Sequence, residues 1–204
     1  MSEDDLRERL VAAGVEMVRG EGSAVLTLRE IARRAGVSHG APRRYFPTHL
    51  ALLSAIAREG FRELGERVAR LLADGGTPHA QLRALGRAYL EYAATNRGMF
   101  ELMFRHDLLE SNRLGLRETS LPLFEVLVEL TGRARAARGP AAQAEGTPGG
   151  RGAETRVAAG ALWANLHGLA QLWTWGSLQL ATGLDDIEPL LDAAIKAHTG
   201  PETA

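Results

Sequence analysis

Residues 26–53 combine capping residues, apolar side chains and glycine at a spacing that few folds accommodate. Thr27 and Glu30 lie three residues apart, which predicts a helix start where each side chain pairs with the other's backbone N–H. The apolar positions that follow fall on one helical face: Leu28, Ile31, Ala32 and Ala35. Gly36 then suits the left-handed conformation that ends a helix. This pattern predicts a two-turn helix followed by a sharp turn.

A second short helix is expected directly after this turn. Ser38 suits its N-cap, and residues 39–45 are expected to be helical. Pro42 falls about one turn into this segment, so we expect one backbone hydrogen bond to be lost there. Two helices joined by a turn of three or four residues with glycine form a helix-turn-helix, whose second helix enters the DNA major groove.

A long helix is expected after Phe46 and Pro47, with Thr48 as its N-cap. Its apolar positions keep a helical spacing: Leu50, Leu53, Ala57, Phe61, Leu64, Val68 and Leu71. Residues 4–19 predict a helix that precedes the motif, with one buried stripe: Leu6, Leu10, Ala13 and Met17. We therefore expect a three-helix DNA-binding domain over residues 1–47, followed by a helical effector-binding and dimerisation domain over residues 48–204.

Positive charge is concentrated in the motif. Between Arg29 and His49 there are five arginines and one glutamate, while the 204-residue chain has a net charge of -1. An arginine cluster on a short helix is often an ordinary solvated face. A local basic face on a near-neutral chain nevertheless favours binding to phosphate.

The rest of the composition limits the cellular compartment and the kinds of binding site that we expect. The chain has no cysteine, which excludes disulfides and thiolate metal sites. The N-terminus is acidic and polar, unlike a signal peptide, and no run of about 18 uncharged apolar residues suggests a membrane span. We therefore expect a cytoplasmic protein with no membrane partner.

The motif resembles the DNA-binding region of TetR-type transcriptional regulators. The residues that carry the resemblance are L-T-x-R-x-I-A-x-x-A-G-V-S, a short helix, and Y-F-P-x-x-x-x-L-L. The resemblance implies contacts with phosphates from Thr27, Tyr45, Thr48 and His49. It implies that five residues face the bases: Arg29, His39, Gly40, Ala41 and Arg43. Ser38 and Arg44 belong to the same expected DNA surface.

Three positions depart from the family pattern. The family usually has Tyr where this chain has Arg43, His where it has Tyr45, and Lys where it has His49. That lysine is a phosphate clamp in the family. Arg43 would offset its loss either as a phosphate contact or as a bidentate reader of guanine.

The remainder of the chain predicts an all-α fold of about nine helices. Beyond the long helix, the expected helices cover about residues 78–96, 99–110, 114–135, 155–182 and 185–197. Pro122 is expected to kink or restart the third of these. Residues from about 139 to 153 are Gly, Pro, Ala and polar, which predicts a mobile loop.

Two further segments carry a weaker resemblance. Residues 96–104 and 163–168 look like motifs of a C-terminal domain in a TetR subgroup with a W-x-x-x-H-G signature. This implies an all-helical effector and dimerisation domain. The last two helices of two chains are expected to form a four-helix bundle, so a homodimer is expected.

An effector site is expected among methionine and aromatic side chains, because these line adaptable apolar pockets. The same residues at helical spacing also fit a plain core. The candidates are Tyr89, Tyr92, Phe100, Met103, Phe104, Trp163, His167 and Trp173.

The expected function is ligand-responsive regulation of transcription, most simply as a repressor that binds a near-palindromic operator and is released by a small hydrophobic effector. No H-E-x-x-H or G-x-S-x-G motif is present, so no catalytic activity is expected. No cofactor or metal is expected. A metal bridging His106 and His167 is less favoured than an ordinary hydrogen-bonded histidine. The alternative is a helical small-molecule-binding protein or enzyme with a vestigial helix-turn-helix.

Overall fold

The computed structural model describes residues 3–137 and 151–201. All regular secondary structure in these residues is helical, which confirms the all-α prediction. The helices are α1 Glu3–Glu21, α2 Leu28–Arg34, α3 Ala41–Tyr45, α4 His49–Ala73, α5 Pro78–Thr95, α6 Arg97–Met103, α7 His106–Ser111, α8 Leu116–Ala136, α9 Arg151–Thr174, α10 Ser177–Thr182 and α11 Glu188–Thr199. Within the described ranges, no helix combines the length and apolar composition needed to cross a membrane.

Eleven α-helices appear in the described residues where about nine were expected, because two expected helices are each divided. The helix expected over residues 99–110 separates into α6 and α7 around Phe104 and Arg105. The helix expected over residues 155–182 breaks at Gly176, whose φ of 77° is left-handed. Leu180 lies beyond this break and is 90% exposed.

The chain divides into two compact units. Unit 1 comprises the residues up to Glu63 together with Thr95–Leu121, and unit 2 comprises Leu64–Ala94 together with the residues from Pro122 onwards. Helices α4 and α8 therefore contribute to both units. The domain boundary expected after residue 47 lies at the end of the helix-turn-helix motif. By packing, α6 and α7 belong to the same unit as the helix-turn-helix.

The loop expected at about residues 139–153 falls mainly outside the described residues. Its last three positions, residues 151–153, belong to helix α9.

Unit 1 is built around the apolar stripe expected on α1. Leu10, Ala13 and Met17 are buried, and α1 packs against both α2 and α3. Arg9 extends from α1 and donates a 2.7 Å hydrogen bond to the Ala35 carbonyl, which satisfies an oxygen at the C-terminal end of α2. These contacts brace the two short helices, which have too few residues to be stable alone.

Helix α6 approaches α1 closely through a glycine. A Cβ atom at Gly98 would overlap the Val18 carbonyl oxygen and lie 2.9 Å from the Gly22 Cα atom. Both neighbours are backbone atoms, so a side-chain rotation cannot relieve the contact. Glycine at this position therefore permits α6 to pack against the C-terminal end of α1.

We expect Gly98→Ala to lower the free energy of unfolding by about 1–3 kcal/mol, because overpacking forces the backbone apart. Urea unfolding followed by circular dichroism measures this change. Gly20→Ala is the control, since a Cβ there meets nothing within 4 Å. That control is expected to be neutral or to stabilise by about 0.5–1 kcal/mol, because alanine favours helices. Equal stability of the two variants would contradict the proposed close contact.

Candidate functional site

The N-terminus of α2 forms half of the expected capping box. The Thr27 Oγ1 atom accepts a 3.2 Å hydrogen bond from the Glu30 backbone N–H. The reciprocal bond is not made, because the Thr27 N–H donates instead to the Val25 carbonyl oxygen at 2.9 Å. The Glu30 carboxylate turns toward Arg33 and Arg34. Glu30 therefore neutralises nearby cations rather than capping the helix.

The turn after α2 has the geometry that its glycine predicts. Gly36 has a φ of 67°. The Val37 N–H donates to the Ala32 carbonyl at 3.0 Å, and the Gly36 N–H donates to the Arg33 carbonyl at 3.2 Å. These two bonds form a Schellman motif, which ends α2 and redirects the chain into the next helix.

Helix α3 starts later than expected. It covers Ala41–Tyr45, its N-cap is Gly40, and Ser38 lies in the preceding turn, where its carbonyl oxygen accepts from the Ala41 N–H at 3.0 Å. The expected N-cap at Ser38 is therefore wrong. The expected loss of a hydrogen bond at Pro42 is also wrong. Pro42 is the second helical residue, where a backbone N–H has no partner within the helix.

None of the residues expected to contact DNA is buried. Nine are exposed: Thr27, Arg29, Ser38, His39, Gly40, Arg43, Arg44, Thr48 and His49. Ala41 and Tyr45 are half-buried. Pro42 and Phe46 are buried, so the apolar side of this segment faces the core and its polar side faces solvent.

The arginines of the motif divide into two electrostatic classes. Arg33 forms an ion pair with Glu30, and Arg34 forms ion pairs with both Glu30 and Glu21. Hydrogen bonds, first from Arg33 and then from Arg34, lower the pKa of Glu30 to about 2, so this carboxylate is ionised at neutral pH. The positive charge of these two arginines is thus compensated within the fold.

The other three arginines of the motif remain uncompensated. Arg29, Arg43 and Arg44 are exposed and form no ion pair with any described residue. Their guanidinium groups can therefore bind an external anion without first breaking an internal pair. These three cations and the exposed turn before α3 are suited to binding a polyanion.

The two residues at the start of α4 have structural partners. The Thr48 Oγ1 atom accepts a 3.1 Å hydrogen bond from the Ala51 N–H, which confirms Thr48 as the N-cap. The His49 Nε2 atom lies 2.5 Å from the Leu26 carbonyl oxygen. A carbonyl only accepts, so Nε2 carries a proton. His49 therefore ties the start of α4 to the residue just before Thr27, at the position where the family usually has a lysine.

The eight expected effector residues belong to different units. Phe100, Met103 and Phe104 lie in unit 1, and the other five lie in unit 2. In unit 1, the Phe104 ring centroid is 5.4 Å from that of Phe61 and 4.9 Å from that of Phe100. Phe100 and Met103 are buried, so this cluster forms part of the unit's core.

In unit 2, Tyr89 joins the two motif residues Trp163 and His167. The Trp163 Nε1 atom donates to the Tyr89 hydroxyl at 3.2 Å, and the Tyr89 oxygen lies 2.8 Å from the His167 Nδ1 atom. An indole N–H only donates, so the Tyr89 oxygen accepts from Trp163, and the Tyr89 proton is free to be donated to Nδ1. A neutral His167 that accepts at Nδ1 carries its proton on Nε2.

Burial keeps this group uncharged. Burial raises the pKa of Tyr89 and lowers the pKa of His167, so the neutral forms of both side chains are favoured near pH 7. Trp163 is 40% exposed, and its ring centroid lies 6.1 Å from that of Phe124. The result is an aromatic surface with a polar hydrogen-bonded centre. Tyr92 is buried and Trp173 is half-buried.

The two histidines considered for a metal have other partners. His106 is exposed, with its Nε2 atom 3.7 Å from the Glu110 carboxylate, and His167 bonds to Tyr89. Among the described residues, no group of three or more His, Cys, Asp and Glu side chains is placed to hold a metal ion.

Known proteins resemble this chain in sequence and in fold. The HTH-type transcriptional regulator BetI of Stenotrophomonas maltophilia (strain R551-3) is 42% identical over 80 residues, which cover 39% of this chain and 41% of BetI. The chain thus spans less than half the length of this relative. A solved structure of a protein with unknown function from Rhodococcus sp. RHA1 has a TM-score of 0.70 and 27% identity, and the match covers 95% of this chain and 93% of that one.

A second solved structure is that of Thermus thermophilus FadR, a TetR-family transcriptional repressor in complex with lauroyl-CoA. It has a TM-score of 0.62 and 26% identity, over 97% of this chain and 96% of FadR. Family models match both halves of the chain. Residues 10–56 match the bacterial regulatory proteins of the tetR family, and residues 82–198, more than half of the chain, match the tetracyclin repressor-like C-terminal domain. The chain therefore belongs to the tetR family of bacterial regulatory proteins.

Proposed function

We propose that this protein is a homodimeric, ligand-responsive transcriptional repressor. The observation that carries the proposal is the exposed cationic face of α2 and α3, where Arg29, Arg43 and Arg44 are uncompensated while Arg33 and Arg34 are paired. Each α3 enters one major groove of the operator. The two grooves lie about one helical turn apart or a multiple of it, so the operator is a near-palindrome.

Polar residues at the helix starts fit contacts with phosphates. Thr27 and Thr48 each use Oγ1 as an acceptor for a backbone N–H. Their hydroxyl protons therefore remain available to donate to a phosphate oxygen. Arg43, exposed on α3, suits either a bidentate contact with guanine or a phosphate contact.

We expect Arg43→Ala to weaken operator binding by about 1–3 kcal/mol, because it removes an uncompensated guanidinium from the recognition helix. Fluorescence anisotropy with a duplex from the DNA upstream of the gene measures this loss. Weaker binding only to the preferred sequence would assign Arg43 to a base, and equal weakening on all sequences would assign it to a phosphate.

Arg33→Ala is the matched control, since the charge of Arg33 is already compensated by Glu30. It is expected to change affinity much less than Arg43→Ala. Absence of salt-dependent DNA binding by the unaltered protein would reject the repressor and favour a helical small-molecule-binding protein.

The dimer is proposed to form through α9 and α11. Helix α9 has two apolar faces. One is buried within the protomer and contains Ala159, Leu162, Leu166 and Ala170. The opposite side carries a stripe spaced by three or four residues that continues past the helix end: Val157, Ala161, Ala164, Gly168, Leu172 and Trp175.

This stripe is unusually apolar for a surface. Val157 is 72% exposed and Trp175 is 60% exposed. Helix α11 packs against α9, so each chain offers a helix pair. Two such pairs form a four-helix bundle around a two-fold axis, which would cover the stripe of both chains.

We expect Ala164→Glu to convert the dimer to a monomer, because the two-fold axis would bring two carboxylates into an apolar contact. Light scattering coupled to size-exclusion chromatography measures the mass. Ala94→Glu places the same charge on an exposed alanine of α5 and should leave the dimer intact. A dimer in both variants would exclude this face of α9 as the interface.

The effector is proposed to bind in unit 2 beside Tyr89, Trp163 and His167. The FadR structure contains an acyl-CoA, which supports an apolar ligand for a fold of this kind. The aromatic surface of Trp163 and Phe124 provides apolar contact, and the hydrogen-bonded centre provides orientation. The effector releases DNA only to the extent that it binds the non-binding conformation more tightly.

We expect Tyr89→Phe to lower the free energy of unfolding by about 1–3 kcal/mol, because it deletes the hydroxyl that both Trp163 and His167 contact. Urea unfolding measures this, and Tyr45→Phe on α3 is the control. Tyr89→Phe should retain operator affinity while losing release by a cell extract that contains the effector. Unchanged stability together with normal release would exclude this group as the effector site.

A further inference from the structure

Helices α4 and α5 enclose a solvent-open cleft in unit 2, with a volume of about 220 Å³. Its lining residues follow an i, i+3, i+4 spacing on each helix, so each helix offers one face. Three arginines and one glutamate line the cleft, together with three small or apolar side chains that are here named its floor: Arg67, Arg70, Arg87 and Glu91, with Leu71, Ala84 and Ala88 as the floor. The floor includes accessible apolar surface, since Leu71 is 40% exposed. None of these residues belongs to the effector cluster around Tyr89.

The charges around the cleft do not cancel. Arg67 forms an ion pair with Glu91, which also lines the cleft. Arg87 holds Glu188 through Nε and Nη2, each at 2.7 Å, and this leaves the Nη1 donors unused by that pair. Arg70 is exposed and has no ion pair with any described residue. Three arginines and two glutamates therefore leave one guanidinium uncompensated.

We propose that this cleft binds a short-chain amphiphile that carries a single carboxylate. Arg70 holds the carboxylate through its planar fork of N–H donors, and the Nη1 group of Arg87 adds a second donor. The alkyl chain lies over Leu71 and Ala84. A single negative charge matches the single uncompensated guanidinium. The cleft is smaller than the roughly 300–1,000 Å³ of sites for drug-sized ligands, so the chain is short.

Isothermal titration calorimetry of the full chain, without DNA, tests this site. Hexanoate is the probe, and hexanol, hexylamine and acetate separate the contributions of chain and charge. Hexanoate is expected to bind about tenfold or more tightly than each of the other three, because hydrogen bonds to a charged group add about 1.5–3 kcal/mol and the floor adds apolar contact.

Arg70→Gln is expected to weaken hexanoate binding about tenfold or more for the same reason. Arg83→Gln is the matched control, because Arg83 lies on α5, pairs with Asp192 and does not line the cleft. It should bind hexanoate like the unaltered protein. Ala84→Leu is expected to abolish binding by filling the floor, and a thermal melt checks that this variant is folded.

Three results would overturn the proposal. The first is the absence of hexanoate binding at millimolar concentrations. The second is equal binding of hexanoate and hexanol, which would exclude a role for charge. The third is equal weakening in Arg70→Gln and Arg83→Gln, which would show a general effect of net charge. Because no DNA is present, none of these results bears on the repressor function.

Discussion

Burial of the first half of helix α4 is the constraint on which the helix-turn-helix depends. Residues 51–57 are buried without interruption, so this segment is enclosed on all its faces. The short helices α2 and α3 cannot be stable alone, and His49 at the start of α4 holds the Leu26 carbonyl just before α2. Helix α4 then continues to Ala73 and contributes to unit 2, so one continuous helix of 25 residues belongs to both units.

Electrostatic compensation decides which arginines are available for an external anion. The motif contains five arginines, and Glu30 and Glu21 bind two of them. An internal pair must be broken before its arginine can bind phosphate, whereas Arg29, Arg43 and Arg44 carry no such cost. The same principle distinguishes Arg70 from Arg67 and Arg87 in the α4–α5 cleft. A count of the cations along the sequence would therefore overestimate the number of arginines available to an anion at both surfaces.

The position of Tyr89 gives a physical explanation for the W-x-x-x-H spacing. Trp163 and His167 lie four residues apart on α9, which places them on neighbouring turns of one face. Their rings meet edge to face with centroids 6.4 Å apart, and both side chains contact one hydroxyl supplied by α5. Gly98 has a comparable role in the segment of residues 96–104, because its missing side chain permits the approach of α6 to α1. In each of these two segments, a residue type is therefore explained by its contact with a helix that is distant in sequence.

The sequence by itself determined the helical class, the helix-turn-helix and most helix ends, since these depend on local capping, periodicity and glycine conformation. Thr27, Gly36 and Thr48 act as their local patterns predict. Only the tertiary structure decided the pairing of Arg34 with Glu21 on α1 and the role of Tyr89 beside Trp163 and His167. These features depend on which groups meet across helices. The periodicity of one helix does not show which residues of another helix will contact it.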